Sequence, residues 1–227
     1  MIDTVHVIGS GRVGSAIDAR LRERGIAVRA EGAELVLLCV PDDAIAEVAA
    51  SIETGPWVAH VSGVKPLVAL GRHEQRFSLH PLQTFTRASR GAEQLAAQFD
   101  GAWGAITAET ADAHTVALWL AETLGLRTFD LDDSARTLYH AGAVFASNYI
   151  VTSQRAATLL FDAVGAPPAA LEPLMLRTIE NDFELTGPIS RGDWGTVGAH
   201  IAELHERLPQ LEHLYETLAG ATLALAT

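Results

Sequence analysis

"VHVIGSGRVGSAIDARLRERGIAVRAEGAELVLLCVPDD", residues 5–43, decides the fold. "TVHVIG" alternates apolar and polar positions as a half-buried strand does, and apolar spacing then predicts a helix from Val13 to Arg24. Between them Gly9, Gly11 and Gly14 form G-x-G-x-x-G, the context this motif requires. Gly9 serves a tight turn, Gly11 lets backbone approach a pyrophosphate, and Gly14 lets the helix pack on the strand. Helix N–H groups then face the anion.

The residues that follow are harder to fit. About twenty positions on, an acidic residue suits ribose hydroxyls and an arginine suits an added 2′-phosphate; Arg29 and Glu31 stand in that window and point opposite ways. A parallel crossover with its helix needs about 10 to 12 residues, yet only Ala30 to Glu34 separate "IAVR" from "LVLLCV". Either Ile26 to Arg29 pairs antiparallel or the chain passes almost directly into "LVLLCV". In both cases the pyrophosphate cradle is present and the adenosine ribose pocket is shortened.

Composition bounds the rest. A chain of 227 residues with 48% apolar and 19% charged residues folds around a sizeable core. Its net charge of −12 argues against nucleic acid, which demands clustered Lys and Arg. Lys65 is the one lysine. The one cysteine, Cys39, reads as a core thiol in "LVLLCVP", with no intramolecular disulfide to form. No basic-then-apolar leader precedes Val5, and "ELVLLCVP" and "AGATLALAT" fall short of a membrane helix of ~20 residues, so a cytoplasmic protein with no membrane partner is expected.

Along the chain, strands and helices alternate through "LVLLCV", "WVAHV", "RFSLH", "AWGAIT", a helix from Ala111 to Leu124, and "LRTFD". That alternation predicts a Rossmann-like α/β domain with a parallel sheet, shortened after its first βα unit, over residues 1–131. Helices at Ser134 to Val164, Pro168 to Leu185, Gly192 to Arg207 and Gln210 to Leu223 predict an all-helical domain over 132–227.

Ligands of open parallel sheets bind outside the strands' carboxyl ends. Those ends read Gly9-Ser10-Gly11, Val40-Pro41-Asp42-Asp43, His60-Val61-Ser62-Gly63 and His80-Pro81-Leu82-Gln83-Thr84-Phe85. Asp42 also reads as a helix cap and Ser62-Gly63 as a turn. His80 titrates near neutrality and is a candidate proton donor. "YHAGAVFASNYIV" is apolar nearly all round, as a buried helix is, and i, i+4, i+7, i+8 spacing puts His140, Val144, Ser147 and Asn148 on one face. In "LTGPISRGDWGTV", Asp193 reads as an N-cap, with Thr186 and Arg191 in reach of a carboxylate. His200 and His205 lie off a shared face and H-E-x-x-H is absent, so no metal site is expected.

These stretches resemble the 6-phosphogluconate dehydrogenase-like superfamily. More closely, "VIGSGRVG", "LVLLCVPDDAI", "HVSG", "HPLQTF", "HAGAVFASNY" and "LTGPISRGD" are similar to its Rossmann-like predicted oxidoreductases with a helical C-terminal domain of unknown function. The resemblance implies NADP or NAD in a cleft between the domains, a small 2-oxo acid or imine acid as substrate (ketopantoate-type reduction a candidate), and a homodimer through the C-terminal helices. Gly9, Ser10, Gly11, Arg12, Val13, Gly14, Arg29, Val40, Pro41 and Asp42 are the expected cofactor residues. His80, His140 and Asn148 are expected in catalysis, and His60, Ser62, Gly63, Gln83, Thr84, Ser147, Thr186 and Arg191 at the substrate. Many relatives carry a lysine one turn before the asparagine, where this chain has Val144. That departure and the shortened ribose region keep open a second reading, a degenerate, non-catalytic nucleotide- or metabolite-binding protein.

Overall fold

The computed structural model describes residues 2–85 and 91–225, without the Ala92 side chain. The last two residues of "AGATLALAT" lie outside that range. Two compact units divide the chain, residues 1–147 and 148–227. The strands of the first are β1 (Thr4–Ile8), β2 (Ala27–Val28), β3 (Leu35–Leu38), β4 (Trp57–His60), β5 (Arg76–Leu82), β6 (Trp103–Ala108) and β7 (Arg127–Asp130). Its helices are α1 (Arg12–Glu23), α2 (Ile45–Ser51), α3 (Ala92–Ala96), α4 (Ala111–Leu124) and α5 (Arg136–Val144).

The strands form one sheet in the order β2-β1-β3-β4-β5-β6-β7. Side chains alternate across it. Leu35 and Leu37 join Val5, Ala59, Phe77 and Leu79 against α1 and α4, whereas Val36, Leu38 and Val58 pack on Ile45 and Ala49 of α2. Helix α4 matches its predicted limits because both ends are marked. Thr110 accepts from the Ala113 N–H, and Gly125, at φ 88°, returns its N–H to the Ala121 and Glu122 carbonyls.

Two features correct the sequence reading. Strand β6 pairs antiparallel with β5, so β6 and β7 run against the other five and the sheet is mixed. The short connection after Arg29 has a different solution from either expected one. Strand β2 pairs parallel with β1, but only at Thr4 and Val5. It stops level with Val5, three residues before β1 ends and roughly 10 Å short of the sheet's carboxyl edge. The chain therefore never climbs to that edge and needs no helix to come back. It crosses beneath β1 through a turn at Gly32 (φ 67°), with Glu34 accepting the Asp3 and Thr4 N–H groups through its carboxylate.

The second unit is helical: α6 (Ile150–Ala163), α7 (Leu171–Glu180), α8 (Trp194–Arg207) and α9 (Pro209–Leu225). Helix α7 ends at Glu180 rather than Leu185, where Asp182 and Phe183 adopt positive φ. Asp193 caps α8 as expected, accepting from the Thr196 N–H at 3.1 Å. Residues Phe145–Tyr149 form a π-helical turn, which breaks the 3.6-residue repeat on which the shared face of His140, Val144, Ser147 and Asn148 was drawn. Nor is that helix buried in the single chain: Leu138 is 81% and Phe145 67% exposed. No described helix is long and apolar enough to cross a membrane.

Candidate active site

The three glycines do different jobs, and the structure separates them. A Cβ at Gly9, where φ is 116°, would stand 2.3 Å from the Cys39 carbonyl oxygen. One at Gly14 would stand 2.0 Å from the Gly9 carbonyl oxygen. At Gly11 it would meet nothing within 4 Å. Two glycines are thus compelled by packing, while the middle one opens onto free space at the start of α1. Gly11 supplies no side-chain cap and the first turn holds no acidic residue, so the N–H groups of Arg12, Val13 and Gly14 are free of competing carboxylates. This geometry fits a pyrophosphate. Burial pushes the Cys39 thiol up to about 12, so it is an inert core thiol behind the turn.

Because β1, β3, β4 and β5 are neighbouring parallel strands, their carboxyl ends lie along one edge. Gly9–Gly14, Pro41–Asp42, Ser62–Gly63 and His80 are gathered there. Asp42 does not cap the helix that follows; Pro41 takes the N-cap position without a side-chain bond, and Asp42 opens a 3-10 turn. Strand β5 runs past the end of β4: His60 pairs with Ser78, and His80 lies two residues farther on the same face.

That overshoot lifts His80 beside Gly63. A Cβ at Gly63 would fall 2.9 Å from Cε1 and Nε2 of His80 and 2.7 Å from Cδ2 of His140. The two imidazole centroids are 6.2 Å apart. A side chain at position 63 would push directly on both rings, so glycine keeps that space clear. The Nδ1 of His80 shares a 2.7 Å hydrogen bond with the hydroxyl of Tyr139, whose ring stands edge-on to Phe129. Burial, then the neighbouring His140 and Arg136, hold His80 down to about 4 against the opposing pull of Asp42. It is therefore neutral at pH 7.

Beneath these groups lies Arg136, the first residue of α5 and only 1% exposed. Its guanidinium donates to the Ser62 carbonyl, to Oγ of Ser78 at 2.9 Å and to Oγ1 of Thr107 at 2.8 Å. One arginine thereby ties the loop after β4, the body of β5 and the end of β6 to the helix that carries Tyr139 and His140. Burial lowers its affinity for a proton, and Asp133, Tyr139 and Asp42 support the charge.

The remaining predicted residues fall into three groups. His60 is fully buried, its Nδ1 accepts from the Ser62 N–H at 3.2 Å, and Nε2 finds no well-formed partner among the described residues. Burial, with Arg136 nearby, drives its affinity down to about 3 despite weak support from the Pro66 carbonyl, so it props the loop as a neutral ring. Ser62 is likewise turned inward, accepting from the Val64 and Lys65 N–H groups. Gln83 and Thr84 are exposed at the end of β5, and the Gln83 amide bonds the Gln98 carbonyl and the Thr84 N–H. Arg29 is exposed at the end of β2, its N–H on the Val5 carbonyl and not beside the glycine loop. Ser147 donates to the Ala143 carbonyl, Asn148 opens the second unit, and Thr186 and Arg191 sit in its α7–α8 connection. Arg136 and Tyr139 were missed: both act on residues 29 to 74 positions away, and nothing in their local pattern reveals that.

Comparison with known structures shows the fold. A Bacteroides fragilis protein provisionally described as an NADP oxidoreductase matches with a TM-score of 0.81 and 23% identity over 98% of each chain. A Thermotoga maritima protein matches at 0.73 and 21%, over 97% of this chain and 96% of that one. The 1-pyrroline-5-carboxylate reductase of Streptococcus pyogenes matches at 0.62 and 16%, over 98% of each. The fold is thus Rossmann-like, followed by an all-helical region. No curated protein matches the sequence. Residues 102–222, more than half of the chain, match the model of the domain of unknown function DUF2520, and the chain belongs to that family.

Proposed function

We propose that the protein is an NAD(P)H-dependent reductase of a small 2-oxo acid or imine acid, with ketopantoate-type reduction a candidate, on the pattern of the 6-phosphogluconate dehydrogenase-like superfamily. The observation that carries this reading is the division of labour among the glycines: Gly9 and Gly14 are closed by backbone, while Gly11 is open at a helix N-terminus. A bound reduced nicotinamide would supply the hydride. The Arg12, Val13 and Gly14 N–H groups would hold the pyrophosphate, Arg29 is the candidate for the adenosine side that the sequence offers, and Val40, Pro41 and Asp42 would flank the nicotinamide half. His80, neutral at pH 7, offers the substrate oxygen a hydrogen bond, and the proton that balances the hydride would pass to that oxygen from solvent through His80 or His140. His140 faces it across Gly63, and Gln83, Thr84, Ser147, Asn148, Thr186 and Arg191 are the candidates for orienting the acid. Exposed apolar residues on the C-terminal helices support a homodimer.

Calorimetric titration with NADPH and NADH tests the reading, with Gly11→Asp as the control. Micromolar binding that the substitution abolishes is the expected result, and loss of turnover in His80→Ala and His140→Ala would follow in a substrate screen. If wild-type protein binds neither nucleotide, the reductase reading fails. The two-residue β2 favours the second reading, a non-catalytic binder of a smaller nucleotide or metabolite, which that outcome would select.

A further inference from the structure

Building on the reductase reading, we propose that Tyr139 is a positioning residue: its hydroxyl donates to Nδ1 of His80 and so fixes the imidazole proton on Nε2, the nitrogen beside Gly63. The 2.7 Å contact joins a phenol and an imidazole nitrogen. A phenol oxygen is a poor acceptor and an imidazole nitrogen a good one, so the hydroxyl is the donor. The alternative arrangement, with the proton on Nδ1, would present a bare lone pair at Nε2 and repel a carbonyl oxygen. Burial keeps Tyr139 protonated, with its affinity raised to about 12 although Arg136 pulls the other way.

The surroundings support one tautomer. The charged and titratable groups acting on His80 are His140 and Arg136 of α5, Asp42 after β3 and His60 of β4. None of these makes a hydrogen bond to its Nδ1; Tyr139 does. The Tyr139 ring is held edge-on by Phe129, with centroids 5.8 Å apart, and edge-on to His80 at 5.5 Å. Arg136 pins the first turn of the same helix to β4, β5 and β6, which fixes where the hydroxyl arrives. The oxygen of a substrate seated over Gly63 then meets a donor of defined direction, an arrangement that needs no reorientation as negative charge develops.

Long-range proton–nitrogen correlation spectra of apo protein carrying 15N-histidine test this directly. His80 is picked out among nine histidines by its loss in His80→Gln. The expected wild-type spectrum near neutral pH shows His80 as a single tautomer protonated at Nε2. In Tyr139→Phe, the signals should shift toward a mixture of both tautomers, and the titration midpoint of His80 should rise by about one unit, since a bond to the neutral form is lost. A proton on Nδ1 in wild type, or an unchanged His80 spectrum in Tyr139→Phe, overturns the proposal. The wild-type spectrum decides the first arm by itself, so a poorly folding variant does not remove the test. NADPH titration of the same sample separates the two claims. Absent binding overturns the reductase reading, and only the tautomer decides the role of Tyr139.

Discussion

In residues 1–147, sheet and helices bury two packed apolar clusters, one on each face of the strands. In residues 148–227, Leu171, Val197 and Leu204 are the described apolar side chains that are buried, and none of the three completely. Helices α6, α8 and α9 also border a cavity of about 430 Å³ lined by Leu160, Phe161, Val164, Leu204, Leu208 and Tyr215. The sheet provides many small strands with a common interior, so each added strand deepens the core. The helices of the second unit leave Leu159, Leu174, Leu176 and Ile179 exposed, with no sheet in that unit to place them against. The first unit thus closes its own core, while the second leaves apolar side chains exposed, which under the proposed homodimer a second copy would cover.

The comparison breaks first at the glycine turn. Gly14→Ala drives a Cβ into the Gly9 carbonyl and should cost about 3 kcal/mol or more in denaturant unfolding, while Gly11→Ala leaves stability nearly unchanged. Equal effects would show that the two glycines are not doing separate work. Arg136→Met strands the Ser62 carbonyl and the Ser78 and Thr107 hydroxyls without their shared donor. About 3 kcal/mol should be lost in the same measurement; a neutral result would mean the strand ends are held by packing alone.

Acid should act on the first unit next. Unfolded, His60 and His80 take up protons as pH falls through 6.5; folded, they refuse them until about 3 and 4. Stability is complete above 6.5 and declines as pH falls toward those values, by at most about 1.4 kcal/mol per pH unit for each histidine. Urea titrations from neutral pH to pH 5 should show this decline, and it should shrink in His60→Asn. The smallest expected effect on folding lies in the second unit. Leu176 and Ile179 share a face of α7 and are 53% and 54% exposed. Replacing both with Glu should change monomer stability by no more than about 0.5 kcal/mol. Under the proposed homodimer, light scattering should report a dimer in wild type and a shift toward monomer in this variant; a wild-type monomer would remove the dimer, and an unchanged mass would remove α7 from its interface.

Local chemistry was legible and long-range geometry was not. The first strand, the glycine turn and α1, the caps of α4 and α8, and the alignment of four strand ends all follow from residues close in sequence. The direction of β6 does not, because the segment joining β5 to β6 is long enough to serve either sense. A two-residue strand such as β2 is too short to show a period, so its parallel pairing was invisible. The π turn defeated a face drawn on a 3.6-residue repeat. Among the candidate residues, the position of His80 at a strand end and of Gly63 in a turn could be read from the sequence. Their relation to Tyr139 and Arg136 required the β5 overshoot and the start of α5 to be seen together.

The two-residue β2 has one further consequence. Under the proposed reading, a full second strand would build a wall beside the adenosine ribose and select between cofactors by shape. Here that wall is missing, and the basic group nearest in sequence, Arg29, projects from an exposed strand end. Preference for a 2′-phosphate would then rest on a solvent-exposed guanidinium. Such attraction fades as counterions crowd in, over a screening length of about 8 Å at physiological salt. On that reading, discrimination between NADPH and NADH would be a property of the surrounding electrolyte as much as of the protein, strong in dilute buffer and weak in brine.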